Sequence, residues 1–207
     1  MKILTIFLSS INRYGIKFLL RILLYEVLNI YRLRFKDYLV ADSIKKKYEP
    51  CVPTPFYCLS LIKKKLPKKN YTFIDFGCGR GRVINYLNNI KNLTEVIGIE
   101  NNKSLRKELI KLNNEKTKIY IKDCTNKIFL NFLIKKYSTK NLILYFFHPF
   151  SEKILEKIVE KFLSKSRKEL KIIVMGKIYL NIRIKKKFRI KVTKIHSLFN
   201  IYTYQYR

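Results

Sequence analysis

The stretch Phe73-Ile74-Asp75-Phe76-Gly77-Cys78-Gly79-Arg80-Gly81-Arg82 sets a carboxylate just ahead of three glycines at alternate positions. Glycine tolerates a positive φ, so Gly77 and Gly79 permit a tight turn where a Cβ would clash. Gly81 lets a following helix approach a sheet and lets a ligand approach the backbone. About twenty residues further on, the apolar run Val96-Ile97-Gly98-Ile99 ends in a second carboxylate, Glu100. A carboxylate at that offset accepts hydrogen bonds from both hydroxyls of a ribose. Loop and acid together suit the binding of a nucleoside. The glycines alone would mean only a tight strand-to-helix turn.

Few other residues offer chemistry. Tyr145-Phe146-Phe147-His148-Pro149-Phe150 closes another apolar run with a histidine, which titrates near neutral pH and can serve as a general base. Its competing reading is a loop histidine with a structural hydrogen bond. Ile119-Tyr120-Ile121-Lys122-Asp123-Cys124 ends a third run in an acid. Cys51, Cys58, Cys78 and Cys124 form no Cys-x-x-Cys pair, and only His148 and His196 could join them, so no metal site is expected. Cys78 and Cys124 read as small packing residues.

The elements that must position these residues alternate. Short apolar runs at Tyr71–Phe76, Glu95–Ile99, Lys118–Ile121, Leu142–Phe147 and Lys171–Met175 read as buried parallel strands. Stretches of helical period fall between them, at Val83–Ile90, Ser104–Asn113, Ile128–Lys136 and Glu152–Phe162. Phe188–His196 and Phe199–Tyr206 alternate in polarity and read as an antiparallel hairpin on one edge. The expected fold is α/β, a three-layer αβα arrangement around a mostly parallel seven-stranded sheet with an antiparallel C-terminal hairpin. Residues 1–47 form a basic, amphipathic helical extension, and residues 48–207 the domain. Within the extension, apolar residues from Ile16 to Leu28 recur at three- and four-residue steps. The prolines Pro50, Pro53 and Pro55 mark the boundary, and a short helix from Phe56 to Leu66 follows.

Asp-x-Gly-x-Gly-x-Gly differs from the dinucleotide pattern Gly-x-Gly-x-x-Gly in its leading acid and its glycine spacing. A leading carboxylate suits an ammonium and repels a pyrophosphate. The segment resembles motif I of the class I S-adenosylmethionine (SAM)-dependent methyltransferases, with Glu100 as the acid of their second motif. The resemblance implies that Asp75, Gly77, Cys78 and Gly79 line the methionine end of SAM and that Glu100 holds its ribose. Asp123 is similar to the acid of the third motif, which contacts the adenine amine. Together with Tyr48-Glu49-Pro50 and Thr54, these runs resemble a little-characterised bacterial methyltransferase group, distantly similar to the non-SET-domain histone-lysine methyltransferases. Related enzymes that methylate amines carry Asn or Asp, then Pro-Pro, at the position of His148-Pro149; here a histidine and a single proline stand instead.

The function these features imply is methyl transfer from SAM to a nucleophilic N or O of an acceptor, be it a protein side chain, a nucleic acid or a small molecule. Two alternatives stay open. A NAD(P)-dependent oxidoreductase also uses a glycine loop and a strand-end acid. A net charge of +31 also suits a non-catalytic nucleic-acid-binding protein on the same fold. The basic residues are spread along the chain rather than gathered in one arm, as a composition rich in Lys, Ile and Asn throughout would produce. The scattered cysteines and the lack of a secretory signal make a reducing cytoplasm the expected setting. No run of about 18 uncharged apolar residues suggests a spanning helix, and peripheral membrane contact through residues 1–40 is a further reading.

Overall fold

The computed structural model describes residues 15–29, 53–147, 150–176, 182–196 and 201–206. His148, Pro149 and the Tyr48-Glu49-Pro50 segment lie outside them. Five strands run parallel: β1 (Tyr71–Phe76), β2 (Leu93–Glu100), β3 (Thr117–Ile121), β4 (Leu142–Phe147) and β5 (Leu170–Met175). The last two, β6 (Lys191–His196) and β7 (Ile201–Tyr206), form an antiparallel hairpin, and β7 pairs with β5. The sheet order is β3-β2-β1-β4-β5-β7-β6. The mostly parallel seven-stranded sheet with its closing hairpin is the architecture the sequence implies.

Central strands must be apolar on both faces because helices cover both. Accordingly β1 is buried at every position. Its alternate residues feed two separate cores. Ile74 and Phe76 pack with α5 (Lys127–Tyr137) and α6 (Glu152–Lys165) through Leu130, Leu133, Leu155 and Val159. Tyr71 and Phe73 pack on the other side with α2 (Phe56–Lys65) and α3 (Arg82–Leu87) through Phe56, Leu59, Val83 and Ile84. Helix α5 begins at Asn126, whose side chain accepts from the amides of Ile128 and Phe129, two donors the first turn leaves over.

Three local features differ from expectation. The stretch read as one helix over Ser104–Asn113 is broken into a 3-10 turn at Lys103–Leu105, a single α turn α4 (Arg106–Leu109) and a second 3-10 turn at Ile110–Leu112. Residues Ile182–Lys187 form a short helix, α7, ahead of the hairpin. The first hairpin strand therefore starts at Lys191 rather than Phe188. On the α2 side the amino-terminal helix α1 (Ile16–Leu28) packs through Phe18 and Tyr25 against Tyr57, while Phe18 also stacks on His196.

Candidate functional site

The glycine loop follows β1 directly and lies at the carboxyl edge of the parallel strands, where open α/β sheets bind ligands. All three loop glycines adopt positive φ: 83° at Gly77, 52° at Gly79 and 80° at Gly81. The amides of Gly77 and Cys78 both donate to the Ile99 carbonyl, at 2.9 and 3.0 Å, and tie the turn to the end of β2. Gly81 has a second constraint. A Cβ there would come within 2.4 Å of Leu112 Cδ1, so the close approach is made by the segment after β2.

Glu100 ends β2 beside this turn. Its Oε2 accepts from the Gly79 amide at 2.9 Å and its Oε1 from the Asn102 amide at 2.8 Å. The second acid is thus drawn to the middle glycine of the loop. Burial pushes the Glu100 pKa up, against the pull of the Asn102, Gly79 and Asn101 amides. Asp75 lies one residue before the end of β1 and is fully buried, paired in register with Gly98 and Tyr145. Burial, and then the charge of Glu100, hold its carboxyl well above the usual range. Its Oδ2 is buried without a hydrogen-bond partner. A buried, unsatisfied carboxylate oxygen costs about 1–3 kcal/mol or more, and such a group calls for a partner. A ligand cation fits that requirement.

Asp123 follows β3 on the same sheet edge and is exposed. Its Oδ1 accepts from the Thr125 amide and hydroxyl at 2.8 and 2.7 Å, which shapes the loop before α5. Cys124, next to it, is buried, and burial followed by the Asp123 charge pushes its thiol up to about 12. Cys78 is buried too, with its sulfur 2.9 Å from where a Cβ on Gly98 would stand. Neither thiol has the character of a nucleophile. The structure therefore brings Asp75, Gly77, Cys78, Gly79, Gly81 and Glu100 together and sets Asp123 along the same edge. Among the described residues no group of three or more His, Cys, Asp or Glu side chains could hold a metal ion.

Sequence reasoning overlooked the supports of the loop. Arg80 pairs with Glu108 at 2.7 Å. Arg82, almost fully buried, donates to Glu26 of α1 at 3.1 Å and lies over the Phe56 ring, 4.8 Å from its centroid. Glu26 also accepts from the Phe56 amide at 2.8 Å. Behind Asp75, Tyr145 shares a hydrogen bond of 2.9 Å with Thr54 and reaches Met175 Sδ at 3.6 Å. These pairings join residues far apart in sequence. The one local signal was Gly98, a glycine inside an apolar strand, which marks a close approach. A separate cleft of about 640 Å³, lined by Lys69, Arg167, Lys168 and Glu169, opens at the opposite edge of the sheet.

No protein-family model matches the sequence, and no curated protein matches it. Solved structures share its fold. The structure of M. capricolum TrmK in complex with the natural cofactor product S-adenosylhomocysteine (SAH) superposes with a TM-score of 0.50 at 10% identity, covering 73% of this chain and 67% of that one. A conserved hypothetical protein of Streptococcus pyogenes superposes equally well, TM-score 0.50 at 11% identity, over 72% of this chain and 94% of its own. At such identities the likeness is one of fold, and that fold is the one class I methyltransferases use.

Proposed function

We propose that this protein is a SAM-dependent methyltransferase whose cofactor is held between Asp75 and Glu100 over the Gly77–Gly81 turn. The observation that carries this is the buried, unpartnered Oδ2 of Asp75 beside a second acid that is bound to the loop. A dinucleotide would bring a pyrophosphate to this turn, and the leading acid, Asp75, would oppose it. An amino-acid ammonium at Asp75 and a ribose at Glu100 match both acids. When bound, SAM supplies an electrophilic methyl group that passes in line to a nucleophilic N or O, leaving SAH.

The chain's own residues orient and enclose. Asp75 pairs with the ammonium, the turn of Gly77, Cys78, Gly79 and Gly81 passes beneath the ligand, and Glu100 accepts from the ribose hydroxyls. Asp123 accepts from the adenine amine through the carboxylate oxygen that the Thr125 turn leaves over. His148, next to Phe147 in the chain, takes the proton that the acceptor releases. Positioning and exclusion of water supply most of the rate, so a strong base is not required.

Calorimetry on the full chain tests the assignment. SAM and SAH bind and NAD does not, and Asp75→Asn weakens SAM by about tenfold or more, as loss of a buried ion-pair partner requires. NAD binding with no SAM binding would instead support the oxidoreductase reading, and unchanged SAM affinity in Asp75→Asn would remove the proposed site.

A further inference from the structure

Helix α1 has two apolar faces, and the domain uses only one. Phe18, Ile22, Tyr25 and Glu26 turn toward α2 and the hairpin. Ile16, Leu20, Leu23, Leu24, Val27 and Leu28 turn away, each at least half exposed. At about 100° per residue these six cover an arc of about 140° on one side of the helix. Single exposed leucines are ordinary, but a continuous stripe of this kind marks a binding surface.

The charges on α1 say what covers it. Lys17 and Arg21 border the exposed stripe, and both are exposed. The one acid of the helix, Glu26, is withdrawn to the opposite side, with a side chain only 14% exposed against Arg82. Among the described residues of α1, the outward side is therefore apolar and cationic with no negative group. A second copy seated on that face would set its own Lys17 and Arg21, and a net charge of +31, against like charge. The sequence flanking α1 has the same basic character, with Arg13 before it and Arg32, Arg34 and Lys36 after it. An anionic lipid surface complements both features, apolar residues entering the acyl boundary while lysine and arginine reach the headgroups. The 13 residues span about 20 Å, too short for a hydrocarbon core of about 30 Å, so the helix lies in the plane of the surface. Among the described residues no helix is long and apolar enough to cross a membrane.

We propose that the outward face of α1 docks the protein on the surface of an anionic membrane, with Ile16, Leu20, Leu23, Leu24, Val27 and Leu28 buried among the lipids. This does not rest on the methyltransferase reading. Sedimentation of the full chain with phosphatidylcholine vesicles, with and without phosphatidylglycerol, tests it. Binding is expected only with phosphatidylglycerol. Replacing Leu20, Leu24 and Leu28 together by Gln should lower the partition coefficient by about tenfold or more. Lys17→Gln with Arg21→Gln should lower it on phosphatidylglycerol by several-fold. Melting temperature and SAM affinity, measured on the same variants, should stay at wild-type values because the inward face is untouched. Absence of vesicle binding overturns the proposal. So does equal binding of the wild type and the triple-Gln variant, which would mean diffuse charge alone is responsible. A wild-type dimer that the triple-Gln variant converts to monomer would assign the face to a second copy and overturn it too.

Discussion

Glu100→Gln isolates what the second acid contributes, because it changes one atom and keeps the shape. In the native chain both carboxylate oxygens accept from backbone amides, Gly79 at 2.9 Å and Asn102 at 2.8 Å. Glutamine has one acceptor oxygen. Whichever way its amide lies, its NH2 faces a backbone N–H, and one hydrogen bond to a charged acceptor is lost. Such a bond contributes about 1.5–3 kcal/mol. Burial already disfavours the Glu100 charge, and the neutral side chain recovers part of that cost. The lower figure of about 1.5 kcal/mol therefore governs. In a chain of 207 residues this corresponds to a melting temperature lower by about 3–6 °C without ligand. It also corresponds to SAM affinity weaker by about tenfold, since the loop and the ribose share the same acceptor.

The control is Asp123→Asn. Its Oδ1 accepts from the Thr125 amide and hydroxyl, and asparagine keeps an oxygen able to accept both. Its stability should stay within about 0.5 kcal/mol of wild type. Thermal unfolding followed by circular dichroism gives the first quantity, and calorimetric titration with SAM gives the second. A Glu100→Gln protein that melts within about a degree of wild type would refute the claim that this carboxylate holds the loop. One that melts lower but binds SAM unchanged would leave the loop role standing and refute the ribose role.

Two further outcomes follow from the same geometry. Gly98→Ala would place a Cβ 2.8 Å from Ile119 Cδ1 and 2.9 Å from Cys78 Sγ, so overpacking should destabilise the fold by about 1–3 kcal/mol. Cys78→Ala frees part of that space, and in its background Gly98→Ala should cost less in chemical denaturation; equal costs would refute the contact. Asp75, its folded pKa raised by burial and then by Glu100, favours the native state only while neutral. Its contribution is complete below the ordinary value of 3.8 and is lost as pH rises through the raised folded value. Wild-type melting temperature should therefore fall over that rise, while Asp75→Asn shows a flatter profile. Because an ammonium favours the ionised carboxyl, SAM binding should release a proton, read as a dependence of the calorimetric heat on buffer ionisation enthalpy.

How much of this was legible follows from the range over which each cause acts. β1 and β4 match the runs Tyr71–Phe76 and Leu142–Phe147 residue for residue, because burial on both faces keeps them apolar at every position but Thr72 and Asp75. The glycine turn was legible for a similar reason, since positive φ is a property of the residue itself. The Ser104–Asn113 stretch had a helical period yet broke into tight turns. There Asn102, Asn113 and Asn114 side chains bind the amides of Ser104, Ile119, Lys116 and Thr117, and such local bonds compete with a helix. Helix α7 was missed because six residues give too few turns for a period to show.

What could not be read locally is how the turn is held. Gly79 is bound by Glu100, Arg80 by Glu108 and Arg82 by Glu26, three acids drawn from β2, from α4 and from the amino-terminal helix. The chain has only 14 acidic residues against 45 basic ones, so carboxylates are scarce and where they gather is informative. With Asp75 a fourth stands at the same place, and there burial and its neighbour Glu100 both oppose its charge. Carboxylates gathered for stability alone would each face a cation or an amide, as Glu26, Glu100 and Glu108 do. Asp75 has an oxygen left over in a dry position, which a fold built only for stability would replace with an apolar residue. On the proposed reading, that oxygen is the one that meets the ammonium of the ligand at the sheet edge.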